Sequence, residues 1–290
     1  MTPKLVEQQN LLISEFEKYA NQYFAKLSER LPEVKTLWES VRYSFSSGGK
    51  RFRPFIACLV SQAFENNIQK IIPYAFAVEM IHTYSLIHDD LPCMDNDDFR
   101  RGQPTNHKVY GEDIALLAGD TLLTEAFAVI AQSYEQNPKL VVQLILLLTN
   151  KAGALGMIGG QVLDMKSTAG ITAQQIQLMH KLKTGALIES AVVGSAYISE
   201  VPEAELQYIK AYAENIGLAF QIKDDILDMH DKEQDFKNFV NLIGLRDTQA
   251  MLSEVSERAI QALKNIQNQN SKVNIQLLLD LVQYNLNRDK

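Results

Sequence analysis

Two clusters of aspartates, at residues 89–95 (DDLPCMD) and 224–228 (DDILD), are the residues of this sequence best suited to chemistry. Each cluster ends an apolar stretch with helical spacing. An ionised carboxylate is costly to bury without a compensating charge, so adjacent pairs at the edge of an apolar helix indicate bound cations. Because no pair of histidines or cysteines stands beside them at metal-binding spacing, the all-oxygen clusters favour Mg²⁺, or Mn²⁺, over Zn²⁺.

Helix geometry predicts how the two clusters present their carboxylates. Asp224 and Asp228 are four residues apart, and at roughly 100° per residue they differ by only about 40° around a helix axis, so both project from one face. In the first cluster Pro92 opposes a continuous helix. We therefore expect the helix to end near Asp89 and the following bend to return Asp95 towards it.

Basic residues are concentrated in two short segments, although the chain is acidic overall, with 28 Lys and Arg against 35 Asp and Glu and a net charge of −7. Residues 48–54 (GGKRFRP) place three cations beside a glycine pair, and residues 100–102 (RRG) follow the first acidic cluster. Arginine binds phosphate oxygens through two parallel hydrogen bonds, so each segment is a candidate diphosphate site. The acidic balance and the lack of a basic stripe with interleaved aromatics argue against a nucleic-acid partner.

Other interpretations of these residues are open. Each acidic pair taken alone could be a solvated helix end, and each basic segment could be surface charge. A calcium-binding loop starting at Asp95 is excluded, because Arg100 stands where glycine is needed and Asn106 where a bidentate glutamate is needed. A histidine-aspartate phosphohydrolase could use His82, His88 and Asp89, but it would leave the second acidic cluster without a role.

The distribution of apolar residues predicts an all-α fold in a single domain spanning residues 1–290. Helical periodicity runs through residues 5–27, 115–134, 206–220 and 255–266, alternating strand patterns are scarce, and residues 264–272 read as a polar hinge. The most apolar run, residues 140–148, is too short for a membrane span, and the N-terminal segment is not a signal peptide. With only two cysteines, Cys58 and Cys93, we expect a cytoplasmic protein.

The residues also carry a family resemblance, which runs from about Gly48 to the C-terminus. The phrases are GGKRFRP, IHTYSLIHDDLPCMD, RRGQPT, LLAGD, GGQVLDM, KTGAL and IGLAFQIKDDILD, in that order. In sequence and spacing the chain resembles the trans-polyprenyl diphosphate synthases, and among them most closely the bacterial farnesyl diphosphate synthases. The resemblance implies an isoprenoid synthase fold, with about ten helices around a central active-site cavity.

The resemblance implies a short-chain trans-prenyltransferase. It would condense isopentenyl diphosphate head-to-tail with dimethylallyl or geranyl diphosphate, through Mg²⁺-assisted ionisation to an allylic cation, and would form farnesyl diphosphate. Three Mg²⁺ ions per site would be held by Asp89, Asp95 and Asp224, with Asp90, Asp225 and Asp228 binding directly or through water. The implied catalytic residues are Asp89, Asp90, Asp95, Arg100, Lys183 and Asp224.

The same resemblance assigns the substrate contacts. The implied substrate-binding residues are Lys50, Arg53, His82, Arg100, Arg101, Lys183, Thr184 and Gln221, of which Lys50, Arg53, His82 and Arg101 would hold isopentenyl diphosphate. Gln161 and Asp164 also match the family, although helix capping or packing would explain them equally well. The family further implies a homodimer.

Product length would be set by the residues four and five positions before Asp89, because the growing tail should run back along that helix. Tyr84 is bulky and indicates a short chain, whereas Ser85 leaves room beyond ten carbons, so fifteen carbons is the expected product. Geranyl and geranylgeranyl diphosphate are the alternatives.

One segment departs from the family pattern. After Asp228 the chain lacks about ten residues that the family usually carries, a change in loop length that a fold tolerates readily. We expect Lys232 or Lys237 to replace the lysine that helps to close over the third metal. The shortened loop also leaves open a weakly active or regulatory subunit as an alternative function.

Overall fold

The structure is a computed structural model and describes residues 1–229 and 236–289. These residues form fourteen α-helices, twelve of them at least eight residues long, and one short hairpin, so the all-α prediction is confirmed. The helices are α1 (Pro3–Arg30), α2 (Lys35–Ser46), α3 (Phe52–Ala63), α4 (Ile72–Asp89), α5 (Asn106–Tyr110), α6 (Glu112–Ser133), α7 (Pro138–Ala152), α8 (Met157–Lys166), α9 (Ala173–His180), α10 (Ala186–Ile198), α11 (Glu203–Leu227), α12 (Phe239–Ile243), α13 (Leu245–Gln269) and α14 (Gln276–Asn287). The hairpin pairs β1 (Phe99–Arg100) with β2 (Gln103–Pro104) in antiparallel register.

Helix α4 is the central element of the larger core. Residues 72–81 are buried on every side, which is why its sequence is apolar all round instead of amphipathic. It packs against α3, α6 and α10, and small residues of α6 such as Ala115 and Ala118 allow a close approach. The buried helix therefore carries Asp89, its last residue, to the edge of the core.

Helix α11 positions the second acidic cluster. It packs along α13 and against α10, and Leu218 and Ile222 lie in a second, smaller core with Ile176 of α9 and Leu252 of α13. The periodicity that predicted helices in residues 206–220 and 255–266 is borne out by α11 and α13. The polar hinge expected at residues 264–272 is wrong in its first part, since α13 continues to Gln269 with Leu263 and Ile266 buried beneath its polar residues.

The N-terminal helix α1 covers one side of α4 with an amphipathic face. Its buried residues are Leu5, Leu12, Phe16, Ala20 and Phe24, at the spacing of an apolar stripe. The ring of Phe76 in α4 packs edge-on against Phe16 and Phe24, with centroids 6.2 and 5.3 Å away. Such aromatic contacts add to the energy of simple burial.

A buried ion pair fixes the start of α3 to α4. Arg51, which precedes α3 in a left-handed conformation with φ of 45°, has its Nη1 2.8 Å from Oε1 of Glu79. Its other terminal nitrogen donates to the carbonyl of Phe45, and the guanidinium lies 4.8 Å from the Phe45 ring. Arg51 is thus turned inwards, whereas Lys50 is exposed.

Two helical stretches, Glu112–Ser133 and Pro138–Lys166, are long and apolar enough to cross a membrane by length and composition alone. The second of these is divided between α7 and α8 by a turn at residues 153–156. The same test is passed by core helices of soluble proteins, so this is weak support for a membrane span. Both stretches contribute to the helical core, through residues such as Leu122 and Leu148.

We predict that Glu79→Ala destabilises the fold strongly. It leaves the Arg51 guanidinium buried without its carboxylate, a change that typically costs about 3–5 kcal/mol. The matched control is Glu39→Ala, which breaks the exposed Lys35–Glu39 pair and should change the free energy of unfolding by less than about 0.5 kcal/mol. Urea unfolding of both variants measures the difference, and equal small losses would contradict the assignment.

Candidate active site

The first acidic cluster has the predicted bend. Helix α4 ends at Asp89, and the chain then turns back so that the N–H of Asp95 donates to the carbonyl of Asp89 at 2.8 Å. Asn96 takes a left-handed conformation with φ of 54°, and its N–H donates to the carbonyl of Leu91. The helix end therefore brings Asp89 and exposed Asp95 together, as the position of Pro92 predicted.

Asp90 is buried and holds Arg100. The carboxylate Oδ1 of Asp90 lies 2.7 Å from Nε and 2.5 Å from Nη2 of Arg100, which the β1–β2 hairpin carries back to the end of α4. Burial raises the pKa of Asp90, and the hydrogen bond from Arg100 opposes that rise. The geometry thus makes Asp90 the residue that orients Arg100 next to Asp89.

Asp89 has an amide for its hydrogen-bond donor instead of a cation. Nε2 of Gln161 in α8 donates to its Oδ1 at 2.9 Å. Burial raises the pKa of Asp89 to about 6, with the nearby charges of Asp95 and Asp90 adding to the effect and those of Lys183 and Arg100 opposing it. The carboxylate is therefore short of neutralising charge.

Asp164 in α8 joins two lysines that are far apart in sequence. Its Oδ2 accepts a hydrogen bond from Nζ of Lys183, and its Oδ1 lies 2.5 Å from Nζ of Lys237. Burial alone would raise the pKa of Asp164, but the two lysines outweigh it and hold the pKa below its usual value. One carboxylate thus places two ammonium groups side by side, and Lys183 also contributes to the field at Asp89.

Close packing of α8 on the segment that carries Lys183 depends on one glycine. Lys183 and Thr184 lie in a wide π-helical turn at Lys181–Gly185, between α9 and α10. A Cβ at Gly160 would come within 2.2 Å of the Lys183 backbone nitrogen and 2.6 Å of its Cα. Glycine at this position is what allows Gln161 and Asp164 to reach Asp89 and Lys183. Thr184 is partly exposed in the turn.

Asp224 and Asp228 lie one turn apart at the end of α11, as predicted. The helix ends at Leu227, and the N–H of Asp228 donates to the carbonyl of Asp224 at 2.9 Å. Oδ1 of Asp224 lies 2.5 Å from Nη2 of Arg288, which follows α14. Burial raises the pKa of Asp224, and the charges of Arg288 and Lys50 oppose that rise.

Arg288 is itself held at this position by the core. Its side chain is only 2% exposed, its Nε donates to Oδ1 of Asn285, and its guanidinium lies 4.5 Å from the ring of Phe220. The Phe220 ring in turn lies 4.5 Å from that of Phe52, at the start of α3. The last turn of the described chain therefore connects the second acidic cluster with the basic segment.

Asp225 and Gln221 face another direction. Nε2 of Gln221 donates to Oδ1 of Asp225 at 3.3 Å, and Oδ2 of Asp225 accepts the N–H of Phe239 at 2.9 Å. Both side chains are thus hydrogen-bonded within the protein, and the structure places the amide of Gln221 against Asp225.

The two basic segments meet, as the diphosphate-site prediction requires. The Arg101 side chain donates a hydrogen bond to the carbonyl of Gly48. Its guanidinium packs against Gly49 so closely that a Cβ at Gly49 would be only 2.7–2.8 Å from the guanidinium atoms. Gly49 has φ of 120°, so both its conformation and the close approach require glycine. Lys50 is exposed beside this contact.

Arg53 and His82 form the inner part of the same basic region. Burial lowers the pKa of both groups, and for His82 the charges of Arg53 and Arg101 lower it further, so the imidazole is neutral at pH 7. Nε of Arg53 is buried and has no hydrogen-bond partner in residues 1–229 or 236–289. Several like charges packed around a neutral histidine are typical of an anion site.

The chain-length residues lie on α4 one turn before Asp89. Tyr84 is buried, its ring packs edge-on against His88 with centroids 5.6 Å apart, and its hydroxyl has no hydrogen-bond partner in the described part of the chain. Burial raises the pKa of Tyr84 to about 12, and the charge of Asp89 adds to that effect. The hydroxyl of Ser85 donates to the carbonyl of His82 at 2.9 Å.

The side chains present suit a hard cation that is completed by other ligands. Within the described ranges no group of three His, Cys, Asp or Glu residues is close enough to enclose a metal by itself. Mg²⁺ commonly binds through one or two carboxylates and completes its coordination with water and substrate phosphates. The charge-deficient Asp89 and the buried Oε1 of Gln161, which lacks a partner in the described residues, fit such a shell.

Three residues at the site were not among those predicted from the sequence with a defined role. Gln161 and Asp164 carried a signal, since both stand in the GGQVLDM phrase, but packing explained them equally well until their partners were known. Arg288 carried no signal, because a single arginine at the end of a chain has many unremarkable explanations. The ammonium group of Lys237 forms an ion pair with Asp164, whereas Lys232 lies outside the described residues.

Known proteins are similar to this chain in both sequence and fold. Residues 34–275 match the polyprenyl synthetase family. The chain is 39% identical over 277 residues to a farnesyl diphosphate synthase of Micrococcus luteus, covering 91% of this chain and 93% of the relative. It is 45% identical over 201 residues to a geranylgeranyl diphosphate synthase of Cyanophora paradoxa, covering 68% and 67%. A crystal structure described as an FPP/GFPP synthase of Zymomonas mobilis superposes with a TM-score of 0.86 at 33% identity, covering 98% of this chain and all of that one.

The helical fold and the convergence of acidic and basic motifs thus define a prenyltransferase. The chain belongs to the polyprenyl synthetase family, as the sequence resemblance predicted.

We predict that Gly160→Ala impairs both stability and turnover. The added methyl group would overlap the backbone at Lys183, and such overpacking typically costs about 1–3 kcal/mol. The control is Lys166→Ala on the exposed side of the same helix, which should leave both properties nearly unchanged. Thermal unfolding and steady-state kinetics measure the effects, and wild-type behaviour of Gly160→Ala would contradict the close-packing argument.

Proposed function

We propose that this prenyltransferase condenses isopentenyl diphosphate with dimethylallyl diphosphate and then with geranyl diphosphate, giving farnesyl diphosphate. The observation that carries the proposal is the division of the site by charge. Asp89 and Asp95 lie together at the end of α4, whereas Arg101 meets Gly48 in the basic region that also contains the buried Arg53. Two diphosphates can therefore bind in one site by different means.

On the acidic side, Asp89, Asp95, Asp224 and Asp228 would hold Mg²⁺, with three ions as the expected number and Mn²⁺ as a substitute. When bound, Mg²⁺ would neutralise the carboxylates, bind the allylic diphosphate and stabilise the charge that develops on its leaving oxygens. Asp90 keeps Arg100 directed at this region, and Asp164 keeps Lys183 and Lys237 beside it. These three cations are the chain's own contribution to stabilising the departing diphosphate.

On the basic side, Lys50, Arg53, Arg101 and neutral His82 would hold isopentenyl diphosphate without metal. Arg101 is fixed by the carbonyl of Gly48, and the buried Nε of Arg53 has no partner in the described residues, so an anion would supply one. His82 adds a hydrogen-bonding group without adding charge. The double bond of this substrate would then face the allylic carbon from the opposite side.

The reaction follows from this arrangement. The C–O bond of the allylic diphosphate breaks, its electron pair leaves with the oxygen, and an allylic cation remains. The double bond of isopentenyl diphosphate forms the new C–C bond, and the proton lost from the adduct passes to the released diphosphate. Pre-positioned cations in a site shielded from water stabilise the leaving charge far better than solvent does.

The length of the product would be limited by Tyr84. Its side chain is buried one helical turn before Asp89, where a tail extending from that residue along α4 would meet it. Ser85, beside it, is small. Because a packed interior cannot move aside for a longer tail, the ring would stop growth at fifteen carbons.

We propose that the chain acts as a homodimer through the outer faces of α6 and α7. Leu116 and Leu117 of α6 are 46% and 50% exposed, and Val142 and Leu146 of α7 are each 56% exposed. A second copy would cover these residues, which explains why two helices of the core have membrane-like composition. The free cysteines Cys58 and Cys93 suit a reducing, cytoplasmic compartment, and we propose one synthase domain for the whole chain.

We predict a fifteen-carbon product from isopentenyl diphosphate with either dimethylallyl or geranyl diphosphate, and no product after chelation of divalent cations. Mass analysis of the extracted chains measures this. Absence of elongation from both primers would contradict the proposal and would favour the regulatory-subunit alternative.

The controls for that assay are Asp89→Asn and Asp224→Asn. Each keeps a hydrogen-bond acceptor for Gln161 or Arg288 while it removes the charge that would bind metal. Turnover should fall at least about 100-fold in both, a loss of roughly 3 kcal/mol of transition-state stabilisation. Wild-type turnover in both variants would contradict the metal sites.

We predict that Tyr84→Ala lengthens the product beyond fifteen carbons, because it removes the ring that closes the tail path. The distribution of chain lengths from geranyl diphosphate measures the effect. Ser85→Ala, which changes little volume at the neighbouring position, is the control. An unchanged distribution in Tyr84→Ala would contradict the floor assignment.

We predict that Leu146→Arg converts the dimer into a 32.7 kDa monomer, since a buried unpaired charge at an interface is strongly unfavourable. Leu11→Arg is the control, because Leu11 is similarly exposed, at 52%, on a different helix, α1. Light scattering coupled to gel filtration measures both masses. A wild-type protein that is already monomeric would refute the proposed interface.

A further inference from the structure

Asp225 has more buried surroundings than Asp224, its neighbour in the second acidic cluster. Its side chain is 8% exposed, whereas that of Asp224 is 31% exposed. On a helix it points about 100° away from Asp224, whose face it does not share. The following segment of chain passes directly over it.

Both oxygens of the Asp225 carboxylate are already bound to donors of the protein. Oδ2 accepts the backbone N–H of Phe239 at 2.9 Å, and Oδ1 accepts from Gln221. The backbone carbonyl of Asp225 accepts a further bond from Nδ2 of Asn238 at 2.9 Å. These bonds occupy lone pairs that a metal ligand would otherwise offer, and the carboxylate is almost closed to solvent.

His180 joins the same cluster from α9. Its Nε2 lies 3.3 Å from Oδ2 of Asp225, and its ring packs against that of Phe239 with centroids 5.4 Å apart. The imidazole, Asp225 and Phe239 are all buried. Three separate segments of chain, α9, α11 and α12, therefore meet at one carboxylate.

Two of these segments carry lysines of the site. Lys183 is three residues after His180, and Lys237 immediately precedes Asn238. Their ammonium groups meet on the two oxygens of Asp164. The chain near both lysines therefore contacts Asp225, through hydrogen bonds at Asn238 and Phe239 and through a close approach at His180, whose Nε2 has no hydrogen-bond partner in the described residues.

We propose that Asp225 is not a metal ligand but a positioning residue, a buried latch that fixes the segment returning from the shortened loop and the end of α9 so that Lys237 and Lys183 lie side by side. The latch consists of Asp225, His180, Asn238 and Phe239. It anchors residues 238 and 239 to α11. The role of the two lysines rests on the function proposed above, whereas the latch itself rests on the contacts alone.

The first test compares Ala and Asn substitutions at Asp225 and at Asp95, an exposed residue proposed to bind metal. Asp225→Ala should lower the unfolding temperature in EDTA by about 5 °C, since it leaves a buried N–H unpaired. Asp225→Asn keeps an acceptor for Phe239 and should restore most of the unfolding temperature, with kcat within about threefold of wild type. At Asp95 the unfolding temperature in EDTA should stay constant, and both substitutions should lose activity alike.

The opposite pattern at Asp225 would overturn the proposal. If both Asp225 variants were equally inactive and both unfolded at the wild-type temperature in EDTA, Asp225 would be a metal ligand. If wild-type protein made no prenyl product, the proposed function would fail, but the unfolding temperatures in EDTA would still decide the latch.

The second test addresses positioning through Asn238→Ser, which keeps an oxygen to cap α12 but removes the bond to Asp225. Binding of inorganic diphosphate with Mg²⁺, measured by calorimetry, should weaken about tenfold in Asn238→Ser and in Lys237→Ala, and no further in the double variant. This result does not depend on whether Asp225→Ala folds. Fully additive losses would mean that the latch does not position Lys237, and would refute that part of the proposal.

Discussion

The structure depends on positive charges that neutralise the carboxylates buried at the edge of its helical core. Burial makes each ionised carboxylate costly, and the protein answers with internal cations wherever it can. Asp90 is paired with Arg100, Asp164 with Lys183 and Lys237, and Asp224 with Arg288. In the described part of the chain Asp89 accepts its hydrogen bond from the amide of Gln161, and burial raises its pKa to about 6.

The aspartates therefore differ in whether a cation of the protein is bound to them. Asp90 holds Arg100, and Asp164 holds Lys183 and Lys237, whereas Asp224, which we propose to bind metal, also has a tightly bound arginine. Asp89 and exposed Asp95 keep coordination capacity for a ligand from outside. The aspartates within one acidic motif therefore differ in their surroundings. These differences depend on residues that are close in space and cannot be read from the motif itself.

Sequence patterns captured what depends on local order along the chain. The all-α class, the break at Pro92, the one-turn separation of Asp224 and Asp228, and the meeting of the two basic segments follow from periodicity, turn chemistry or motif order. The patterns failed where long-range packing decides. Residues 264–269 are polar yet helical, because the opposite face of α13 is buried, and nothing near Arg288 in sequence indicates that it reaches Asp224 from the chain's end.

Residues 237–239 show how contacts to the helical core can hold a charge at a site. A lid over an ionising diphosphate must supply positive charge at a fixed place. The number of residues in the lid matters less, because loop length itself has only a modest entropic effect. Here Lys237 is delivered on a segment bonded to α11 through Asn238 and Phe239, and it meets Lys183 on Asp164. Because Asp164 lies on α8, whose close approach depends on Gly160, the helical core helps to fix the position of the lysine pair.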